Sequence, residues 1–569
     1  MSPATPSSPS TCSAVTPVYA PCSKQGLPTR RQDRTVTSTS ERVLLRGGWV
    51  YSPSAPHATA MVTAGSKVAW VGDAAGAATH AANVDVVVEL QGALVTPGFV
   101  DAHVHLGPTG LAMESLDLSS TVSLADALER LRRYARTHTG RVLSAYGWDE
   151  TKWPEGRSMT MGEVDRAVGS AVAYMSRVDS HSSVISSALL DRDPSIVGRD
   201  GWRGDGPLER DAHHAARAVT HALRGERERE RALRTALTHA ASRGLTSVHE
   251  VNAPHISPYA DFAALRAIAA TTPVPEVVPY WGAFRGGDAD AEADQLLGFA
   301  GDLCVDGAVG SRTACMHEPY ADADTSGHLY LDRTQVAEHV VHCTERSLQA
   351  GFHVIGDRAM TETIAGLAAA AREVGVETMV RARHRLEHAE MPSTEAIQAM
   401  SALGVVASVQ PAFDSAWGAS GELYEQRLGS ERAASMNPFA SMHRAGVTLA
   451  FGSDSPVTPL DPWAGVRAAV LHHNESERLA PAVAFDAHTR GGHRARRDDT
   501  AGVLEPGAAA TYVVWRVDDV DRPAADAGAA TTVLPSLHPD SELPTCLRTV
   551  VAGAPAYDAE QLATSSSSR

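Results

Sequence analysis

From Gly244 to Asp454 the chain repeats one alternation: a short apolar run ending in polar residues, then a longer stretch with helical spacing. The apolar runs include GLTSVHEV, PEVVPYW, GFHVIGD, RHRLEHAE, GVVASVQP and GVTLAFGSD. Most are short and rich in β-branched residues, which predicts buried strands. ERERERALRTALTHAASR, VAEHVVHCTERSLQA and MTETIAGLAAAAREV carry helical patterns instead. Strand–helix alternation predicts an α/β fold with a parallel sheet. Polar residues gathered at strand C-termini predict a TIM (β/α)8 barrel, whose active site lies at that face.

Both ends of the chain read differently. RVLLRGGWVY, SKVAWVGD and VDVVVELQGALVTP are short β runs punctuated by Gly and Pro, and AATYVVWRV and LRTVVAGAPAYD match them near the other end. The expected division is therefore a small β-sandwich from 41–95 and 498–558, and a barrel from 96–106 and 245–497. Residues 107–244 do not fit one βα unit and read as an inserted lid. Residues 1–40, rich in Ser, Thr and Pro, read as disordered, as does the tail ATSSSSR.

Composition narrows the function classes. A length of 569 residues implies more than one structural unit, and 43% hydrophobic content is ordinary for a globular chain. The formal charge of −17 argues against nucleic acid or an anionic membrane as partner. Cys12, Cys22, Cys304, Cys315, Cys343 and Cys546 are sparse and form no CxxC pair, against a disulfide framework or a Cys-rich zinc module. With no long apolar window and no basic-then-apolar start, a cytoplasmic enzyme is expected. The runs His213–His214 and His472–His473 look exposed, so histidine abundance alone carries no function.

Position carries more than abundance. His103 and His105 stand at i and i+2 in an apolar strand, so both imidazoles lie on one side. His353, His388 and Asp454 each close a further apolar run. Each alone has an ordinary reading as a packed histidine or a turn aspartate. Together, imidazoles and a carboxylate at strand ends suit Zn²⁺ or a similar divalent ion. Such an ion lowers the pKa of its water to about 7 and polarises a carbonyl. Asp454 would then ligate and take the proton, while His353 and His388 hold a second metal or stabilise the reacting carbonyl. HEVN (249–252) lacks the second histidine of a zincin motif, and His249 reads as structural or as a residue supporting a metal ligand.

VDAHVHL, the strand-end histidines and GSD resemble the amidohydrolase superfamily. GWDETKWPEGR, RVDSHSSVISSALL, DGAVGSRTA, HVIGDRAM, RHRLEHAE, SVQPAF and FGSDSPVTPLDPW, in that order, resemble its YtcJ-like branch, which includes N-substituted formamide deformylase. The resemblance spans roughly residues 42–555. It implies a distorted TIM barrel with a β-sandwich and metal-dependent hydrolysis of non-peptide C–N bonds. It also implies His103 and His105 on one metal, His353 and His388 on the other, and Asp454 as ligand and base; homo-oligomers are common in the superfamily. In many relatives a carboxylated lysine bridges two metals just before DGAVGSRTA; here Asp302 stands at that position. Asp302 bridges if the backbone moves inward; otherwise the enzyme runs on one ion or is impaired, or Asp302 merely starts a strand. Cys304 shares its face.

Around this set, Trp148 and Trp153 either shield the site or form the lid's own core. Arg177, Asp179 and His181 read as pocket lining or as a salt bridge. Arg312 and Arg385 are candidates for a bidentate grip on a substrate carboxylate, or for anchoring loops. Asp306 and Asp357 are candidates to orient metal-bound histidines, or turn residues. Tyr424 and Arg427 read as loop residues that either close over substrate or lie exposed. The expected activity is hydrolysis of a small-molecule amide, formamide or cyclic amide, with Asp454 and His388 as catalytic groups and one or two ions, expected to be zinc. Ester hydrolysis, deamination or a non-catalytic ligand-binding barrel are the alternatives.

Overall fold

Eight parallel strands ring the centre of the molecule: β1 (Phe99–Val104), β2 (Leu245–Asn252), β3 (Glu276–Trp281), β4 (Gly298–Phe299), β5 (Gln349–Val354), β6 (Arg385–His388), β7 (Val406–Val409) and β8 (Thr448–Phe451). They pair in chain order. This computed structural model describes residues 41–140, 142–518, 520–521 and 533–566. The disorder expected for residues 1–40 lies outside them, as do Cys12 and Cys22. β1, β2 and β5 are buried at every position. That is the condition of a parallel strand covered on both faces, and it explains their near-continuous apolar character. The ring closes between its last and first strands, where Asp454 N–H donates to the His103 carbonyl (2.8 Å) and His105 N–H to the Ser455 carbonyl (3.1 Å). Gly452 makes this approach possible: a Cβ there would sit 2.5 Å from the His103 nitrogen.

Two further five-stranded sheets draw on both ends of the chain. One orders Ala563–Ser566, Val86–Glu89, Arg42–Arg46, Ala60–Ala64 and Lys67–Gly72; the other orders Trp49–Val50, Leu94–Pro97, Tyr512–Arg516, Thr545–Val551 and Ala554–Asp558. Period-two alternation divides the second sheet's side chains. Val95, Tyr512 and Val514 pack between the sheets. Leu94, Val513 and Trp515 join the barrel's core. Of the tail expected to be disordered, Ala563–Ser566 forms an exposed edge strand pairing antiparallel with Val86–Glu89, while 567–569 lie outside the described residues. Backbone hydrogen bonds order it without burial of its small polar side chains.

The segment after β1 folds into a third five-stranded sheet of Leu116–Asp117, Leu143–Trp148, Ala173–Arg177, Ser182–Ile185 and Leu208–Glu209. Its own core includes Leu128, Leu131, Trp148, Met159 and Met175. Within the expected insertion limits, 107–244, the outermost helices pack with the barrel. Helix Glu226–Ser242 places Leu233, Ala236, Leu237 and Ala240 in the barrel core. Helix Leu106–Met113 packs on it, with Gly110 against the Ala232 carbonyl. Among the described residues, no helix is long and apolar enough to cross a membrane.

Candidate metal centre

His103, His105, Asp302, His353, His388 and Asp454 converge over the C-terminal ends of the barrel strands. Three overlapping trios have ligand atoms within 4.8 Å of one another: His103–His388–Asp454, His103–His105–Asp302 and Asp302–His353–His388. His105 Nε2 lies 3.0 Å from Asp454 Oδ1 and 3.2 Å from Asp302 Oδ2. His103 Nε2 lies 3.3 Å from Asp454 Oδ1 and 3.5 Å from Asp302 Oδ1, and His353 Nδ1 lies 3.7 Å from Asp302 Oδ1. The His388 ring centroid is 4.4 Å from that of His353 and 5.0 Å from that of His103.

In three of the four histidines the ring nitrogen turned away from the centre is anchored; His105 Nδ1 is buried without a partner. His103 Nδ1 meets Glu387 Oε2 at 2.9 Å, His388 Nδ1 meets Gln410 Oε1 at 2.8 Å, and His353 Nε2 meets the Gly307 carbonyl at 3.3 Å. A proton on each anchored nitrogen leaves a lone pair on the other, the tautomer a metal ligand needs. His103 Nε2, His353 Nδ1, His388 Nε2 and Asp302 Oδ1 are buried without a hydrogen-bond partner. Buried polar atoms are rarely left so, and four in one cluster fit a cation as the missing partner.

Electrostatics point the same way. Burial pushes the imidazoles of His103 and His105 down, but Asp454 and Asp302 outweigh it, raising His103 well above its usual value and His105 to about 9. Burial opposes ionisation of Asp302 and Asp454, yet the neighbouring histidines hold both carboxyls below their ordinary range. His388 is lowered to about 3 by burial and by His353 and His103. Two ionised carboxylates among imidazoles make a centre complementary to positive charge.

The backbone at Asp302 passes close to the end of β3. Asp302 follows Gly301 at φ +90°, and a Cβ on Gly282 would lie 2.8 Å from the Asp302 carbonyl carbon. Beyond Asp302 the chain runs beside β5, with Val305 N–H donating to the His353 carbonyl at 2.9 Å.

Arg385 does not line the cavity at the metal centre. It is fully buried inside the barrel, donating to Glu387 (2.5 and 3.0 Å), Ser408 Oγ (3.0 Å) and the Ala102 carbonyl (2.5 Å), with His249 Nδ1 at 3.0 Å and the Tyr280 ring 4.5 Å away. Arg385 and Glu387 point inward together because they are two apart in a strand. Burial opposes Glu387 ionisation, but Arg385 and His103 bring it down to about 2. Arg312 is also a correction: at the surface it pairs with Asp322 (2.6 Å) and lines no cavity described here. Trp148 belongs to the insert's core, its indole N–H donating to the Met175 carbonyl at 3.1 Å. Trp153 joins it there.

Arg177 and Asp179 do line a cavity, but they pair with each other at 2.8 Å, and Arg177 also holds Glu150 at 2.9 Å. His181 sits at the centre's edge, its ring 5.0 Å from that of His353. Asp306 accepts from the backbone N–H groups of Cys315, Ile355 and Gly356, and Asp357 from those of His317 and Arg358, so neither grips a histidine ring. Tyr424 and Arg427 are buried in helix Leu423–Leu428 rather than in an exposed loop. His213 and His472 are fully buried, so those runs are not surface histidines.

Glu387 and Gln410 are the functional neighbours that sequence reading missed. Glu387 had a signal, its inward register beside Arg385; Gln410 had only its place at the end of β7. Asp101 is a third: its Oδ1 accepts N–H bonds from His103 (3.1 Å) and Ser453 (3.0 Å), tying the two ligand-bearing segments together.

A parallel barrel with ligand-type side chains over its strand C-termini defines a barrel enzyme by architecture. The chain belongs to the amidohydrolase family, whose model matches residues 86–557. It is 26% identical over 424 residues to the Bacillus subtilis (strain 168) protein named "Putative amidohydrolase YtcJ", covering 69% of this chain and 76% of that one. It is 25% identical over 520 residues to N-substituted formamide deformylase of Arthrobacter pascens, covering 82% and 91%. A solved structure described as an uncharacterized metal-dependent hydrolase from Pyrococcus furiosus superposes with a TM-score of 0.65 at 25% identity, covering 83% of this chain and 98% of that one.

Proposed function

We propose that this amidohydrolase uses one or two divalent ions, zinc in the first instance, to hydrolyse a non-peptide C–N bond of a small molecule. The observation that carries the reading is the convergence of unpartnered, buried ligand atoms from His103, His353, His388 and Asp302 beside Asp454. Asp302 belongs to two of the three trios, which supports a bridging carboxylate between a His103–His105 site and a His353–His388 site. When bound, the metal would act as a Lewis acid on the carbonyl oxygen and lower the pKa of water. A cavity of about 130 Å³ bordered by His105, His353 and Asp454 supports a small substrate.

Asp454 is the proton carrier in this reading. Its backbone stands at φ +53°, held by its own N–H to the His103 carbonyl, and its carboxylate faces the centre from β8. It takes the proton as a water oxygen attacks the carbonyl carbon, then delivers that proton to the nitrogen as the C–N bond breaks. The products are a carboxylic acid and an amine. His388, held by Gln410, orients the carbonyl or the ion it binds. The similarity to a formamide deformylase supports amides and formamides as the first substrates to try.

Metal analysis combined with a panel of N-formyl amines, N-acyl amino acids, cyclic ureides and aryl esters tests this reading. The expected result is bound divalent metal and turnover of a C–N substrate that disappears on chelation. Turnover confined to the esters would overturn the bond assignment; metal-free protein that zinc and manganese do not activate would overturn the mechanism.

A further inference from the structure

The same 130 Å³ cavity runs from the metal centre to a wall supplied by the insert, and that wall is basic. Its carboxylates are already engaged: Asp302 and Asp454 face the imidazoles, and Asp179 is held by Arg177 (2.8 Å) and Ser311 Oγ (2.6 Å). Arg217, from helix Arg210–Ala222, has no such partner. Its recorded contacts are neutral: the Ser180 and His255 carbonyls, the Tyr174 hydroxyl and His213 Nε2. Among the described residues it forms no ion pair with a carboxylate. Arg224, farther along the wall, is buried and donates to Ser144 Oγ, while its Nε has no hydrogen-bond partner. Its nearest carboxylate, Glu228, lies 3.7 Å away and is itself exposed.

The remaining ionisable groups on this wall do not offset the charge. His214, His221 and His255 line it, and burial followed by nearby histidines and arginines pushes all of them down, His221 and His255 to about 3. They are neutral donors and acceptors. A guanidinium held by carbonyls in a cavity is an uncompensated cation, and an anion that displaces water there gains a charge-assisted, bidentate contact.

We infer that the substrate carries an anionic group of carboxylate type, which Arg217 holds while the scissile bond lies at the metal centre. The spacing suits one small molecule. Arg217 donates to the carbonyl of Ser180, the residue next to His181, whose ring is 5.0 Å from that of His353. Tyr146, Tyr174 and Leu111 line the same cavity and suit an apolar or aromatic body. The inference rests on the hydrolase reading for what happens at the metal, but the anion site itself is testable without turnover.

Calorimetric titration of the metal-loaded protein with benzoate, phenylphosphonate and benzamide provides that test. Benzoate is expected to bind at least tenfold more tightly than benzamide. The phosphonate arm separates a preference for carboxylates from one for any anion. Arg217→Gln is expected to remove the preference at unchanged metal content, and Arg217→Lys to restore part of it. Equal binding of benzoate and benzamide by the wild type would overturn the inference, as would an undiminished preference in Arg217→Gln, which would assign the anion to the metal. The wild-type comparison stands even if Arg217→Gln does not fold. Anion preference without hydrolysis of any panel compound would sink the hydrolase reading and leave the anion site; hydrolysis of neutral compounds alone would do the reverse.

Discussion

His103, His353 and His388 each give one ring nitrogen to a protein acceptor and turn the other toward a shared point. That division of labour sets the predictions at this scale. Asp454→Asn keeps the shape and loses the base, so kcat is expected to fall by about 10²–10⁴-fold. An unchanged far-ultraviolet circular dichroism spectrum would show that the fold persists, and near-normal turnover would remove Asp454 from the mechanism. Asp302→Ala removes a carboxylate that belongs to two trios, and metal per chain is expected to drop by about one ion by mass spectrometry if a bridge is lost. An unchanged stoichiometry would make Asp302 a bystander. The positions of His103, His105, His353, His388 and Asp454 were legible because each sits at the end of an apolar run. The pairing of Arg312 with Asp322 and of Arg385 with Glu387 was not legible: a guanidinium reads alike whether its carboxylate partner belongs to substrate or to the protein.

At the scale of elements, β6 does two jobs. Arg385 and Glu387 face inward and form a buried ion pair under the site, while His388 closes the strand above it. Glu387→Gln keeps a hydrogen-bond acceptor for His103 but loses the charge, and metal affinity is expected to weaken by about 10–100-fold in competition with a chelator. Retained affinity would limit Glu387 to balancing Arg385. In the insert, helix Met161–Val168 begins with a reciprocal cap: Thr160 Oγ1 accepts the Glu163 N–H (3.2 Å) and Glu163 Oε2 accepts the Thr160 N–H (2.9 Å). Thr160→Ala is expected to cost about 1 kcal/mol, read as earlier unfolding of the insert by hydrogen exchange. No change there would show that packing of Val164 and Val168 alone holds the helix. Strand and helix identities in the barrel were legible from periodicity. The edge strand Ala563–Ser566 was not, because its partner Val86–Glu89 lies far away in sequence and its side chains bury nothing.

Over the whole molecule, one of the terminal sheets shares a core with the barrel. Trp515, from the sheet built by both ends of the chain, packs edge-on against Phe99 and Trp463, each 5.7 Å away, and donates its indole N–H to Thr96 Oγ1 at 2.9 Å. Phe99 opens the strand that carries His103. Trp515→Ala is therefore expected to cost about 3–5 kcal/mol and to lower the melting temperature of the barrel. A variant whose barrel melts as before would show the sheets to be independent. The local pattern of the chain was enough to set a parallel barrel, terminal β segments and a set of strand-end residues of ligand type, because strand periodicity and apolar runs act over a few residues. Three-dimensional packing alone decided the rest. Asp302 joins the cluster beside a glycine-permitted backbone approach, Arg385 turns into the core, and Arg217 faces the cavity from a helix in the insert. Each of these depends on which distant partner neutralises a charge or fills a space, and no stretch of sequence carries that information by itself.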